Sequence, residues 1–182
     1  MIEINKLSVS FDKKVIDGLT LSIHENGVYC IYAPSGRGKT TLFNAIAGLI
    51  KYSGEIKYDG RIAYLFQEDR LLPWENARNN VLIVASDSDK ADYYIEKFGI
   101  TDFSEKPSAK LSGGMKRRVA IARCFAYGGD IYLLDEPFKG LDRDNALLVA
   151  EEIKKLAPNA IVLVVTHDDD DTALLNAKRI DL

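Results

Sequence analysis

Two uninterrupted apolar runs, Ile131-Tyr132-Leu133-Leu134 and Ile161-Val162-Leu163-Val164-Val165, constrain this chain more than any other feature. A strand with one wet face alternates apolar and polar residues, whereas a strand covered on both faces is apolar throughout. The helical spacing of Asp144 to Leu156 lies between the runs and supplies the crossover that parallel neighbours need. A third compact run, Val28-Tyr29-Cys30-Ile31-Tyr32, follows the turn signal Asn26-Gly27. Strand, loop and helix alternate around these runs. The pattern predicts an α/β fold with a mostly parallel core sheet.

Ahead of that core, Ile2 to Phe11, Val15-Ile16 and Leu19 to Ile23 alternate like short strands of an antiparallel layer. Thr40 to Gly48 has helical spacing, with Leu42, Phe43, Ile46 and Leu49 expected on its inner face. Asp59-Gly60 between Ile56-Lys57-Tyr58 and Ile62 to Phe66 predicts a hairpin. From Gln67 to Leu111 the character changes: Asn79 to Ala85 and Lys90 to Phe98 have helical spacing, and no strand is needed. Lys116 to Ala126 continues as a helix, with Lys116-Arg117-Arg118 expected on a solvated face. Asp168 to Asp171 suits a helix N-terminus, where negative charge meets the positive end of the dipole.

Composition bounds the function. The chain has 182 residues, enough for one domain with a real core, and its net charge of -3 gives no electrostatic reason to expect nucleic acid. Cys30 and Cys124 sit in apolar surroundings and form neither a disulfide framework nor a metal spacing. The alternating start Met1-Ile2-Glu3-Ile4 lacks the apolar core of a signal peptide. No stretch approaches the roughly 18 apolar residues of a membrane span. A cytosolic protein is expected, with any membrane role supplied by a partner.

Four motifs carry chemistry. Pro34-Ser35-Gly36-Arg37-Gly38-Lys39-Thr40-Thr41 lies between a strand and a helix. Glycines admit phosphate close to backbone N–H groups, Lys39 reaches the outer phosphates, and the Thr40 hydroxyl can face Mg²⁺. Ala33 stands where the strict pattern has its first glycine. Next, Asp135 and Glu136 end an apolar strand ahead of Pro137. One carboxylate can hold a metal while its neighbour takes a proton from water; a strand-ending Asp that caps a turn is the bland alternative. Leu111-Ser112-Gly113-Gly114-Met115 reads as a capped helix start, and a helix start with glycines is also an anion site. Last, Thr166-His167-Asp168 follows a buried strand.

In this order and at this spacing, the four motifs resemble the nucleotide-binding subunit of an ATP-binding-cassette (ABC) transporter, over nearly the whole chain. The resemblance implies a P-loop NTPase fold of ABC type: one domain over 1–182, an antiparallel β layer, and a small helical subdomain at 68–125. It implies ATP and Mg²⁺ as ligands. Glu136 becomes the catalytic base, His167 the switch histidine, and Gln67 the Mg²⁺-sensing glutamine. Phe11 becomes the aromatic stacked on adenine, and Thr40, Gln67 and Asp135 the Mg²⁺-associated groups. Pro34, Ser35, Gly36, Arg37, Gly38, Lys39, Thr40 and Thr41 form the phosphate loop. Ser112, Gly113 and Gly114 act in trans, on nucleotide held by the opposite subunit of a head-to-tail homodimer. Leu141-Asp142 fits the loop after the acidic pair, with Lys139-Gly140 replacing the commoner Ser-Ala.

The expected function is an ATPase that powers a transporter through a transmembrane permease subunit, peripheral on the inner face of the cell membrane. Phe66-Gln67-Glu68-Asp69-Arg70-Leu71-Leu72-Pro73-Trp74, Met115 and Glu136-Pro137-Phe138 look like the importer branch for nitrate, sulfonate, taurine or pyrimidine precursors. Leu71 to Trp74 is expected to form a docking surface for the permease; filling the helical segment is the other reading of Leu71 and Leu72. The segment from Gln67 to Leu111 is short for the family, and the chain stops at Leu182, where most relatives continue. A soluble ABC ATPase acting on DNA or ribosomes, and a regulatory nucleotide-binding subunit with little turnover, stay open as alternatives.

Overall fold

The computed structural model describes residues 1–34, 36–85, 87–166 and 169–182, with Asp169 described in its main chain only. Two sheets organise it. The first is antiparallel, in the order β2-β1-β4, from β1 (Ile2–Ser10), β2 (Lys14–Ile23) and β4 (Ser53–Tyr58). The second is parallel, in the order β5-β6-β7-β3-β8. Its strands are β3 (Gly27–Tyr32), β5 (Ile62–Leu65), β6 (Ile131–Asp135), β7 (Ile161–Val165) and β8 (Lys178–Asp181).

The apolar runs mean what they predict. Every residue of β6 and β7 is buried, and successive side chains enter two different cores, as a period of two requires. Val28, Cys30, Tyr132, Leu134, Val162 and Val164 face one core. Tyr29, Ile31, Ile131, Leu133, Ile161 and Leu163 face the other, where α1 (Lys39–Ile46) packs through Leu42, Phe43 and Ile46 beside β1. Both thiols are buried, and burial pushes Cys124 up to about 12, so these cysteines act as small hydrophobes.

The first core is completed by α2 (Ala77–Leu82), α3 (Ser88–Lys97), α4 (Gly113–Tyr127), α5 (Arg143–Leu156) and α6 (Asp169–Leu175). Phe98, Phe125, Tyr94 and Tyr132 stack or meet edge-on where α3, α4 and β6 converge. Among the described residues, 68–125 contains no strand beyond one isolated bridge, Asn76 to Pro107.

Four expectations change. Asp59-Gly60 is not a hairpin turn: β4 pairs with β1 in one sheet while β5 pairs with β6 in the other. The dipeptide carries the chain between layers. Gly60 has φ 94, and a Cβ there would collide with the Asp130 carboxylate, which accepts from the Arg61 N–H at 2.7 Å. Val15-Ile16 and Leu19 to Ile23 are one strand rather than two. Leu49 is 54% exposed and off the inner face, because α1 ends at Ile46 and the chain turns at Gly48, φ 69. Finally, Lys116-Arg117-Arg118 is not a solvated face, since Arg117 is buried. Arg118 donates to the Phe98 and Gly99 carbonyls and lies over the Phe103 ring. Strand β8 was not legible in Lys178–Asp181, a short polar edge whose pairing with β3 is set by tertiary contact.

Candidate functional site

The register of the parallel sheet places the motifs together. Leu65 pairs with Leu134, Asp135 with Val165, and Ile31 also with Val165, so the carboxyl ends of β5, β6, β7 and β3 lie side by side. In an open parallel sheet that edge is where ligands bind. A cavity of about 450 Å³ opens there, lined by residues including Phe11, Gly36, Gly38, Lys39, Thr40, Thr41, Gln67, Asp135 and Glu136. Val15 and Val165 complete it; Val15 carried no motif signal.

Gly36, Gly38, Lys39, Thr40 and Thr41, where the loop enters α1, line this cavity. Gly38 takes the N-cap position in a left-handed conformation, φ 88, with no side-chain cap. A Cβ there would approach the Val15 side chain to 3.0 Å. Lys39 is only 6% exposed. Its ammonium donates to the Ala33 carbonyl at 2.6 Å, across the mouth of the loop. Ala33 is not among the described residues with positive φ, so Ala in place of Gly costs no strain at that position.

At the end of β6, Asp135 is 1% exposed and its Oδ2 accepts from the Thr40 hydroxyl at 2.7 Å. Glu136 leaves the strand in the left-handed region, φ 51, while its N–H donates to the Val165 carbonyl at 2.8 Å. A non-glycine residue held there is strained, and such strain concentrates at functional positions. The Gln67 amide donates to Glu136 Oε1 at 3.1 Å, and Lys139 lies 3.1 Å from Glu136 Oε2. In the sequence Lys139 stands out only as a departure at that loop; its contact with Glu136 follows from the turn Glu136 to Lys139, where the Lys139 N–H donates to the Glu136 carbonyl at 3.2 Å.

Phe11, 62% exposed, borders the cavity rather than filling a core. Other sequence-predicted residues lie elsewhere. Arg37 borders a neighbouring cavity with Lys14, Val15 and Leu19. Pro34 turns the loop by accepting from the Arg37 N–H at 3.1 Å. Ser112, Gly113 and Gly114 do not line the phosphate cavity. Ser112 caps α4, accepting from the Met115 N–H at 3.4 Å, and Gly114 lies against the Gly140 carbonyl. Ser35 and His167 fall outside the described residues.

Comparison with known proteins decides the family. The ABC transporter family profile matches residues 16–139, more than half of the chain. This chain belongs to the ABC transporter family. It is 35% identical over 171 residues to the aliphatic sulfonates import ATP-binding protein SsuB 1 of Pseudomonas syringae, covering 89% of this chain and 71% of that protein. It is 34% identical to the nitrate import ATP-binding protein NrtD of Synechococcus elongatus, covering 88% and 66%. It is also 34% identical to the taurine import ATP-binding protein TauB of Roseobacter denitrificans, covering 98% and 76%. Among solved structures, the dimeric ABC transporter cassette MJ0796 superposes with a TM-score of 0.87 at 27% identity, covering 96% of this chain and 91% of that one. The same cassette bound to ADP and Pi, after hydrolysis, superposes at 0.85 with 25% identity. The ABC fold expected from the motifs is therefore the fold of this chain, and the chain is an ABC-type ATPase.

Proposed function

We propose that this chain is the subunit that binds and hydrolyses ATP to power an importer of a small solute such as a sulfonate, nitrate or taurine. One observation carries the reading: Lys39, Thr40, Asp135, Gln67 and Glu136 converge on one cavity at the carboxyl edge of the parallel sheet. The sulfonate, nitrate and taurine import proteins at 34–35% identity supply the importer direction.

Lys39 and the N–H groups opening α1 bind the outer phosphates, with Ser35, Gly36, Gly38 and Thr41 completing the cradle. Phe11 offers a ring face to the base. The Thr40 hydroxyl and the Asp135 carboxylate, 2.7 Å apart, are hard oxygen donors suited to Mg²⁺. No cluster of three or more His, Cys, Asp or Glu suited to a metal occurs among the described residues. Thr40 and Asp135 would hold the ion, which would supply positive charge beside the transferred phosphoryl group. Glu136 accepts a proton from the attacking water, Gln67 orients its carboxylate, and His167 contacts the outermost phosphate.

Ser112, Gly113 and Gly114 then serve the nucleotide of a second copy in a head-to-tail homodimer, since they stand apart from this chain's own cavity. Residues 68–125 form the helical part of a single cassette spanning 1–182. The permease docks there, on Trp74, which is 74% exposed while Leu71 packs on the core. No described helix is long and apolar enough to cross a membrane. The permease holds this subunit at the inner face of the membrane.

Glu136→Gln tests the reading. It keeps the shape and removes the base, so kcat should fall on the order of 10²- to 10⁴-fold, while Mg·ATP stays bound and light scattering reports a stable dimer. A monomeric Glu136→Gln protein with undiminished hydrolysis would falsify both the base and the dimer.

A further inference from the structure

One guanidinium joins three parts of the site that lie far apart along the chain. Arg117, in the second turn of α4, is 3% exposed. Its Nη2 donates to the main-chain carbonyls of Asp135 and Glu136, each at 2.7 Å. Its Nη1 donates to the Phe66 carbonyl at 2.8 Å and to Asp69 Oδ1 at 3.3 Å. The Phe66 and Glu136 carbonyls lie just past the ends of β5 and β6 and the Asp135 carbonyl on the last residue of β6, beside the hydrogen-bonded side chains of Gln67 and Glu136.

Carbonyls past a strand end have lost the ladder, and where water is excluded they need another donor. A planar fork with five N–H groups serves two strand ends at once; a lysine ammonium or a side-chain amide does not match that geometry. Burial pulls the Arg117 pKa below its ordinary value, and the Asp69 carboxylate opposes the shift. A desolvated charge is costly, so packing alone would favour an apolar residue here. Arg117 Nε has no hydrogen-bond partner among the described residues; the three carbonyls and Asp69 are all served by its other two nitrogens.

We propose that Arg117 is a positioning residue for ATP turnover. It holds the main chain of Phe66-Gln67 and Asp135-Glu136 against α4, the helix that Ser112 caps. Glu136 thereby keeps its left-handed conformation with its carboxylate on Gln67, and a displacement of α4 reaches both loops together. The inference rests on the hydrolytic reading above and adds a residue that none of the four motifs assigns a role.

Steady-state hydrolysis and direct Mg·ATP binding by the full chain, alone and with its membrane subunit, test the proposal at a temperature well below the melting point. Arg117→Lys keeps the charge beside Asp69 and loses the fork. Its kcat should fall roughly 10- to 100-fold, with KM and Kd for ATP within about threefold because Lys39 and Thr40 are untouched. Combining it with Gln67→Ala should cost less than the product of the single losses, because both act through Glu136. Full kcat in Arg117→Lys overturns the proposal, as does a kcat loss matched by an equal loss of ATP affinity. If Arg117→Lys and Arg117→Gln both melt below the assay temperature, Arg117 is a stability residue and the proposal fails. An unsubstituted chain with no turnover in either setting overturns the hydrolytic reading itself, a result distinct from any of these.

Discussion

Two glycine-rich helix starts, at α1 and α4, share a sequence flavour and differ in construction. At α1 the N-cap is Gly38 with φ 88, no side chain closes the first turn, and no acidic residue stands in it. At α4 the N-cap is Ser112 in an extended conformation, and its hydroxyl accepts from Met115 at a long 3.4 Å. Helices with no part in the site are closed more firmly. Asp87 caps α3 at 2.9 Å and Asp142 caps α5 at 2.9 Å, with Asp89 and Asp144 in the first turns. A helix start meant for an anion omits carboxylates, which would compete for its N–H groups and repel phosphate. The two glycine-rich starts form a series: α1 is open to its own cavity, and α4 is lightly capped and turned elsewhere.

The largest effect expected along that series is at α1. Lys39→Ala removes the one buried cation of the cradle, which should weaken Mg·ATP binding by roughly 2–5 kcal/mol. Calorimetric titration measures it, and melting without nucleotide should change little. Unchanged affinity would place the phosphates away from α1. Ser112→Ala comes next and should separate the two helix starts. A single chain should bind ATP as before, the lost cap should cost about 0.5–1 kcal/mol of stability, and turnover should drop on the order of 10²-fold. A loss of ATP affinity instead would mean that Ser112 serves its own chain's nucleotide.

Smaller still is Asp142→Ala at the firmly capped α5. The Asn145 backbone N–H, with the Asn145 amide second, holds the Asp142 carboxyl below its ordinary value. A depressed carboxyl stabilises the fold above its unfolded pKa, about 4. That contribution disappears as pH falls through the folded value. Melting curves should show Asp142→Ala less stable at pH 7, and the gap to the unsubstituted protein should close on acidification. ATP affinity should not move. The smallest change in the isolated chain belongs to Trp74→Ala, expected within about 0.5 kcal/mol in stability. Co-purification with the membrane subunit should weaken. Full-strength association would move the docking surface away from Trp74.

Much of the site was legible because its parts are local. A glycine loop between strand and helix, a carboxylate pair ending an apolar strand, and a serine before two glycines are each defined within a few neighbouring residues. Phe11 was legible only by resemblance, since an aromatic after an alternating run fits a core equally well. Arg37 sits inside the loop motif but borders another cavity than Lys39 does.

By itself, the sequence determined the parallel core, the two glycine-rich helix starts and the order of the motifs. Those follow from periodicity and capping, which act over one turn or one strand. Tertiary structure alone decided which strands share a sheet, and so turned Asp59-Gly60 from a hairpin into a crossing between layers. It also decided that a basic residue in Lys116-Arg117-Arg118 lies buried. Besides Asp69, the partners of Arg117 are carbonyls 51, 18 and 19 positions away in the chain. No local pattern encodes them, because a carbonyl is present at every residue. Only the fold determines which carbonyls are left without the ladder and beyond the reach of water.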